Sequence, residues 1–556
     1  MLEPERRWSS ALATPHWSGP ARKGCCLKSE SGGTPRKRGA DWSGCLTVRV
    51  YRSTMTDKAP TSSAALVQSI NFGSRVAEDE ADDLSSYFVR TETWRQVRDG
   101  EVDVVFAPKG SGKSALYSML ISEEDALFDD KVLLAPAENP TGTPAFASVG
   151  ESDPSEDDLV KIWKLYFLVL ISQELEAYSV RSPQTKELFE FLRDADLLPE
   201  TLSKPSLLAM VREYVAQFLH HKSHETTVHV GPDGMPTAFT GKIEFAEPSV
   251  QNTRAGFVSI DYLLGLVETT LNGSGGYSLW LLLDRLDVAF ASKPGLERKA
   301  LRALFRAYSD LTPYKRIGLK IFLRNDIWEA ISDEGFREAS HLIREASITW
   351  DRDSLRQLVV RRLAQSERVL THYSESAQSV VASPQSQEEF FYRVFPSKVD
   401  AGSGKSATLD WVLNRTQDGK GVTAPRELIH LMSEVRLAQL RRNDMGQPEP
   451  APPALFSPRA FDAALPPVSN IRVQRTLYAE YVDSKPYIAA LQGEKTEHNS
   501  LSLARIWSVQ KDEASSVADR LVDIGFFQRK GPNFWVPFMY RPALALVQGA
   551  APEIVR

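Results

Sequence analysis

The residues best suited to chemistry in this 556-residue chain lie in a glycine-rich turn that follows an apolar run at 102–106. Small residues let successive backbone N–H groups converge on phosphate oxygens, and the positive end of the following helix adds to the attraction. Lys113 would reach the β and γ phosphates, and the Ser114 hydroxyl would ligate Mg²⁺. The alternative is an ordinary strand-to-helix turn. The predicted phosphate-binding residues are Ala107, in place of the usual glycine, Pro108, Lys109, Gly110, Ser111, Gly112, Lys113, Ser114 and Ala115.

A second apolar run, 277–283, ends in a carboxylate, Asp284. This pattern is typical of a buried parallel strand whose carboxyl end faces a ligand. We expect Asp284 to hold Mg²⁺ opposite Ser114, against the alternative of a strand that ends in a surface aspartate. Asp287 follows closely and either orients water or a neighbouring residue, or caps a helix.

Three further strands complete a predicted sheet. A strand at 318–323 ends in Arg324 and Asn325, polar residues expected to meet the γ-phosphate or its attacking water. Strands at 131–135 and 346–350 are also predicted, and the latter leads through a cap at 353 or 354 into a helix at 355–370. Five strands with intervening helices predict an α/β fold with a doubly wound parallel sheet.

The helix predicted at 294–311 has a basic face. Most such faces are merely solvated. The alternative is that one arginine acts on a site in a neighbouring subunit. The basic residues of this face are Arg298, Lys299, Arg302 and Arg306.

The string Gly-Ser-Gly-Lys-Ser-Ala occurs twice, at 110–115 and at 402–407. No strand-like run precedes the second copy, and Val399 stands where the loop should open with a small residue. Pro396 and its polar neighbours are typical of an exposed connection. We therefore predict a surface loop at 402–407 rather than a second nucleotide site.

Composition indicates a folded protein of two to four domains, with 42% hydrophobic residues and a net charge of −6. The apolar run 162–171 is too short for a membrane span, and the first residues lack the order of a signal peptide. We expect a cytoplasmic protein without membrane contact. All 3 cysteines lie in the first 45 residues, so neither a disulfide framework nor a cysteine metal site is expected in the body.

The segment 1–54 is basic and has no helical or strand period. We interpret it as a disordered arm, or as a stretch upstream of a true start at Met55; the alternative is an arm that binds nucleic acid. The rest of the chain is distinctly acidic, so it gains nothing from non-specific attraction to phosphate backbones. The C-terminal residues predict helices at 472–482, 486–491, 501–509 and 514–524, followed by a short hairpin, which describes a winged helix.

These strings resemble AAA+-type ATPases of the origin-recognition and STAND kind, and more narrowly a poorly characterised bacterial family of P-loop ATPases. The resemblance spans about 70–549 and rests mainly on 107–114 and 281–287, with 320–326, 424–429 and the closing segment as weaker strings. It implies a P-loop core, a helical lid and a C-terminal winged helix. On this likeness Asp284 is the metal-orienting acid, Arg324 or Asn325 the first sensor, and Arg426 the lid arginine that senses the γ-phosphate.

The expected domains are a P-loop core at 70–365 with a mostly helical insertion at 136–258, a helical lid at 366–443, a linker at 444–455 and a winged-helix-like domain at 456–556. The insertion includes helices at 156–178, 185–195 and 205–219 and a hairpin at 224–245.

One residue departs from the resembled pattern. Many AAA+ proteins carry a glutamate directly after the metal-orienting aspartate as general base, and this chain has Arg285 there. A guanidinium cannot accept a proton at neutral pH. Either Asp287 or another carboxylate aligns the water, or hydrolysis is slow, which would suit a switch.

The sequence thus predicts an ATP- and Mg²⁺-dependent ATPase that works as a nucleotide-dependent switch, coupled to lid movement or self-association. The alternative is an ATP-licensed DNA-binding regulator or phage-defence component. Its candidate recognition helix, 514–524, holds Asp519 and Asp523 against Arg520 alone, and Arg529 and Lys530 of the hairpin add little. A small-molecule phosphotransferase has no recognisable acceptor pocket.

Overall fold

The computed structural model describes residues 62–73, 80, 83–137, 154–198, 210–211, 243–244, 257–286, 294–332, 335–336 and 342–550. The strands in these residues are β1 (Val104–Ala107), β2 (Val132–Pro136), β3 (Ile243–Glu244), β4 (Val258–Ser259), β5 (Ser278–Leu283), β6 (Ile317–Arg324), β7 (Glu345–Ser347), β8 (Lys495–Asn499), β9 (Gln528–Lys530), β10 (Asn533–Trp535) and β11 (Val547–Ala550).

A five-stranded parallel sheet forms the centre of the first half of the chain, in the order β2-β5-β6-β1-β7. Every residue of β1 is buried, and β5 and β6 are buried over most of their length, as expected of strands covered on both faces. The predicted parallel α/β sheet is confirmed. Strand β7 ends at Ser347 rather than at the predicted residue 350. Its last hydrogen bond to β1 is donated by the Ile348 N–H to the Phe106 carbonyl, at 2.9 Å.

Helices cover both faces of this sheet. One hydrophobic cluster joins β1, β5 and β6 to helices α6, α8 and α9, and a second joins the opposite face to α3 and α4. The helix predicted at 156–178, which contains the apolar run 162–171, is α6 and packs against α9 in this layer. The helices of this region are α1 (Ser63–Ser69), α2 (Leu84–Tyr87), α3 (Glu92–Arg98), α4 (Lys113–Ser122), α5 (Glu124–Asp129), α6 (Glu156–Ala177), α7 (Pro183–Asp194), α8 (Ile260–Gly273), α9 (Pro294–Leu311) and α10 (Asn325–Ser332).

A helical layer follows the sheet. The predicted single helix at 355–370 is wrong in two respects: α11 begins after the cap Asp351, whose carboxylate accepts from the Ser354 N–H in a capping box, and a new cap at Ser366 starts α12. The helices are α11 (Arg352–Leu363), α12 (Glu367–Tyr373), α13 (Ala377–Val381), α14 (Pro384–Val394), α15 (Thr408–Thr416) and α16 (Pro425–Asp444). Residues 402–406 between α14 and α15 form an exposed loop, as predicted for the second Gly-Lys-Ser copy.

The C-terminal part begins with α17 (Pro458–Arg472), which the sequence did not predict because it contains Pro466 and Pro467. It continues as a π-helical turn (Val473–Leu477), α18 (Tyr478–Glu480), α19 (Lys485–Ala489), α20 (Ser500–Trp507) and α21 (Lys511–Asp523). A sheet in the order β11-β8-β10-β9 closes it. The predicted hairpin is present as β9 and β10, while β8 and β11 were not predicted. The domain boundaries and the winged-helix class stay predictions.

Several predicted features lie outside the described residues. They include Asp287, the arm at 1–54, nearly all of the hairpin at 224–245 and most of the helix at 205–219. Among the residues that are described, no helix is long and apolar enough to cross a membrane.

Candidate nucleotide site

The glycine-rich turn joins β1 directly to α4. Gly110 has φ 82° and Gly112 has φ 99°, left-handed conformations that favour glycine, and Lys113 is the first residue of α4. Ala107 is still a strand residue, paired with Arg324 of β6, so this position needs no glycine. The Trp350 indole donates to the Ser111 carbonyl at 2.9 Å and holds the turn from the far side. The turn therefore has the backbone form that a phosphate-binding loop requires.

The structure places Asp284 against this turn. Its side chain is buried at the carboxyl end of β5, with Ser114 in hydrogen-bonding contact and Lys113 near enough to act on its charge. Burial raises the pKa of the Asp284 carboxyl, and Ser114, the Arg285 backbone and Lys113 act against that rise. Within the described residues Oδ1 has no hydrogen-bond partner. A buried carboxylate oxygen without a partner, beside a hydroxyl, fits the ligand set of Mg²⁺.

Arg285 adopts a strained backbone conformation directly after Asp284. Its φ is 56°, in the left-handed region where an arginine costs about 1 kcal/mol or more. Its charge helps to lower the pKa of Asp284, although less than burial raises it. The position that carries a general base in the resembled family therefore carries a cation that acts on the aspartate.

The end of β6 brings Arg324 and Asn325 to the same sheet edge. Arg324 donates to Asp326 at 3.0 and 2.6 Å and to Glu480 at 3.2 Å. Lys109 of the turn also pairs with Glu480. The Asn325 Oδ1 atom is buried without a hydrogen-bond partner among the described residues. The sensor candidates thus lie next to the turn, and one of them is tied to the C-terminal part.

Arg426 approaches the turn from the helical layer. Its backbone N–H donates to the Gly110 carbonyl at 3.4 Å. A Cβ atom added to Gly110 would lie 3.1 Å from the Arg426 Cβ, so glycine is needed here for close approach as well as for its φ. The amino end of α16 therefore packs on the turn between β1 and α4. The role of Arg426 as a lid arginine stays a prediction.

A cavity opens beside the turn. Its walls are mainly apolar and come from α2 and the segment after it, from α4 and from the helical layer. Arg362 pairs with Glu80 at 2.9 Å and lies over the Tyr87 ring at 4.2 Å, which closes one side. The lining residues are Glu80, Leu84, Tyr87, Phe88, Val89, Thr91, Gly110, Gly112, Ser114, Ala115, Leu116, Ile348, Trp350, Leu358, Arg362, Pro425, Arg426 and Ile429.

Sequence reasoning missed most of this cavity and all of the Glu480 contact. In the sequence, Tyr87 and Trp350 cannot be distinguished from ordinary core aromatic residues. Glu480 could not be connected with the turn because it is 371 residues from Lys109 in the chain. Asp287 cannot be placed, since it lies outside the described residues. No cluster of three or more His, Cys, Asp or Glu side chains suited to a metal ion occurs in the part of the chain that is described.

The sheet order and the turn between β1 and α4 define a P-loop NTPase fold of the AAA+/ASCE kind. The sequence matches no protein-family model and no curated protein. Among solved structures, the Aeropyrum pernix ORC2 protein in ADPNP–ADP complexes is similar at 11% identity and a TM-score of 0.37, over 85% of this chain and 93% of that one. Its ADP form gives 11% identity and a TM-score of 0.30, over 81% and 88%. With TM-scores below 0.5, neither structure assigns this chain to a family.

Proposed function

We propose that this protein binds ATP with Mg²⁺ at the β1–α4 turn and hydrolyses it slowly, as a nucleotide-dependent switch. The observation that carries the proposal is Asp284: a buried carboxylate beside Ser114 and Lys113, with one oxygen unpartnered among the described residues. Such a group is costly unless a ligand completes it. A triphosphate with its cation is the ligand that the turn would bring there.

Each residue would have a distinct part in holding the nucleotide. The backbone of 110–113 and the Lys113 ammonium would bind the β and γ phosphates, and Ser114 with Asp284 would hold Mg²⁺, which supplies charge neutralisation when it is bound. Asn325 would orient the attacking water through its buried Oδ1 atom. Arg426 would reach the γ-phosphate from the amino end of α16, so that the helical layer responds to the phosphate.

The apolar cavity beside the turn would take the adenine ring. It adjoins Ser114 and Ala115, and its walls include the rings of Tyr87 and Phe88 and the side chain of Ile429. Flat aromatic and aliphatic walls suit a nucleobase, because ring contacts and burial stabilise it without requiring a charge.

Slow hydrolysis follows from the identity of residue 285. Arg285 cannot take a proton from water, and Asp284, in hydrogen-bonding contact with Ser114, would be engaged with the ion. Asp287 stays a candidate for aligning the water.

The experiment is a nucleotide-binding titration that uses the two copies of the Gly-Lys-Ser string. Lys113→Ala should weaken the binding of a fluorescent ATP analogue by about 10- to 100-fold, because charge-assisted bonds to phosphate are lost. Lys405→Ala is the matched control: it removes the same residue from the same string in the exposed loop, and affinity should stay within about twofold. Equal affinities of the two variants would overturn the proposal.

The DNA-binding alternative gains little from the described surface. Arg529 of the hairpin pairs with Asp519 of α21, the candidate recognition helix, and Asp523 of the same helix is exposed. A helix that must approach phosphates is disfavoured by such charges. It stays a hypothesis that a salt-titrated DNA-binding measurement would test.

A further inference from the structure

A single carboxylate from the C-terminal part bridges two cations at the phosphate-binding turn. Glu480, the last residue of α18, pairs with Lys109 of the turn and with Arg324 at the end of β6, the latter at 3.2 Å. The Glu480 side chain is 18% exposed and that of Arg324 is 14% exposed. The pair between Glu480 and Arg324 is therefore sheltered from water and is screened less than an ion pair at the surface. Lys109 is the more exposed of the two cations, with 37% of its side chain exposed.

The segment that carries Glu480 is anchored at its other end beside Arg426. Arg472, at the end of α17, is buried and donates to Glu427 at 3.0 Å, and Glu427 follows Arg426 in α16. Burial acts to lower the pKa of Arg472, but Tyr540, Glu427 and Asp418 together hold it above its ordinary value, so the guanidinium stays charged. Residues 472–480 thus connect the two predicted phosphate sensors, Arg426 and Arg324.

Between these anchors the helix leaves α-geometry. Residues Val473–Leu477 form a π-helical turn, and α18 after it has only three residues, Tyr478–Glu480. Such turns are rare and are frequent at functional sites. A segment with few regular hydrogen bonds can release its end at lower cost than an uninterrupted helix.

We propose that Glu480 is an internal competitor of the γ-phosphate and sets the preference between ADP and ATP. In the nucleotide-free state its carboxylate neutralises Lys109 and Arg324. A γ-phosphate held by Lys113 and Arg426 would also come close to Lys109 and Arg324. It brings more negative charge and more acceptor oxygens than a carboxylate, so it displaces Glu480 from them. Two anions cannot share this space, because like charges in close contact in a partly buried site repel each other and are only weakly screened.

The displacement couples the nucleotide to the C-terminal part. Once Glu480 leaves, the turn at 107–115 loses its bridge to residues 472–480, and the C-terminal part can move with the π-helical turn as its hinge. ADP lacks the γ-phosphate and leaves the Glu480 contact in place. By linkage, the Glu480 contact lowers the affinity for ATP by the same factor by which bound ATP weakens that contact.

The inference about Glu480 rests on the proposed function. The test compares the affinities of wild type and Glu480→Gln for an ATP analogue and for ADP. We expect the variant to bind a non-hydrolysable ATP analogue about 5- to 100-fold more tightly than wild type, with ADP affinity changed less than twofold. The control is Glu513→Gln, an exposed glutamate in the first turn of α21, which should change neither affinity.

The outcomes distinguish a failure of the Glu480 proposal from a failure of the proposed nucleotide-binding function. If wild type binds no nucleotide, the proposed function fails. If wild type binds and Glu480→Gln shifts both nucleotides equally or neither, the competitor role is wrong. Loss of hydrolysis with unchanged affinities would make Glu480 the missing base and would also overturn it. Hydrogen exchange gives a second readout: in wild type, the ATP analogue but not ADP should speed exchange at 473–480, and in Glu480→Gln exchange should be fast without nucleotide.

Discussion

The two ends of the five-stranded parallel sheet differ in how completely their charged and polar side chains are paired. At its amino end, Asp103 pairs with buried Lys320 at 3.0 Å and with Arg344 at 2.8 Å, and the Tyr308 hydroxyl donates to it at 3.1 Å. Lys320 also donates to the Val102 carbonyl at 2.5 Å. Asp103, Lys320 and Arg344 thus form a paired network at this end of the sheet.

At the carboxyl end the polar groups are left incomplete. Among the described residues Asp284 Oδ1 and Asn325 Oδ1 are buried without partners, and Arg285 has a left-handed backbone. Backbone strain and unsatisfied polar groups lower stability, and they are retained where a bound ligand satisfies those groups. The difference shows which end of the sheet is built for stability and which end is available for binding.

The largest effect should come from breaking the satisfied end. Asp103→Ala leaves Lys320, whose side chain is 2% exposed, buried without its carboxylate. We expect a loss of about 3–5 kcal/mol in the free energy of unfolding, measured by urea denaturation. The control is Asp261→Ala, which removes a half-exposed carboxylate paired with Lys164 and should cost under about 1 kcal/mol. Similar losses for both would mean that the amino end is not a special stabilising network.

An intermediate effect, on the rate of ATP hydrolysis, is expected from placing a carboxylate at residue 285. Arg285→Glu restores the carboxylate that the resembled ATPases carry after the metal-orienting aspartate. We expect hydrolysis to rise by about 10- to 100-fold, at or below the usual contribution of a positioned base, measured as steady-state phosphate release. Arg285→Gln removes the cation without adding a base and should stay near wild type. A gain with Gln as large as with Glu would show that the arginine inhibits rather than that a base is missing.

The smallest effect concerns the proton on Asp284. Because burial raises the pKa of this carboxyl, ionisation opposes folding, so the ligand-free protein loses stability as pH rises through that raised pKa. Binding of Mg²⁺ must expel the same proton. The Mg²⁺-dependent part of ATP affinity should therefore begin to fall, as pH is lowered, at a higher pH than for an ordinary aspartate, by up to about tenfold per pH unit. Asp284→Asn should lack this dependence; if it kept the same pH profile, another group would be responsible.

The sequence was informative where a local pattern carries the structure. Strands β1, β2, β5 and β6 were predicted because buried parallel strands are continuous apolar runs. The turn at 107–115 was predicted because its residue types are needed for its backbone. The edge strand β7 is short and largely exposed, and only its position in the chain was approximately predicted. The second Gly-Lys-Ser copy was correctly separated from the first, since it lacks a strand before it. The placement of Asp284 beside Ser114 followed from the rule that ligands meet the carboxyl ends of parallel strands.

What the sequence did not reveal depends on contacts between distant residues or on competition between local rules. Glu480 has no motif around it, and its role as a bridge depends on how α17 and the π-helical turn are packed. Helix α17 was missed because two internal prolines normally argue against a helix, and packing overrides that preference here. The cap of α11 was misplaced because Asp351, Asp353 and Ser354 are all good capping residues.

The hydrogen bond from Trp350 to the Ser111 carbonyl has a practical consequence. The indole lies in the wall of the cavity and donates to the turn between β1 and α4, so we expect its fluorescence to respond to occupancy of the cavity and to the conformation of the turn. The chain thus carries a natural optical probe at its centre. Although it has 11 tryptophans, the difference spectrum between wild type and Trp350→Phe isolates the emission of this one.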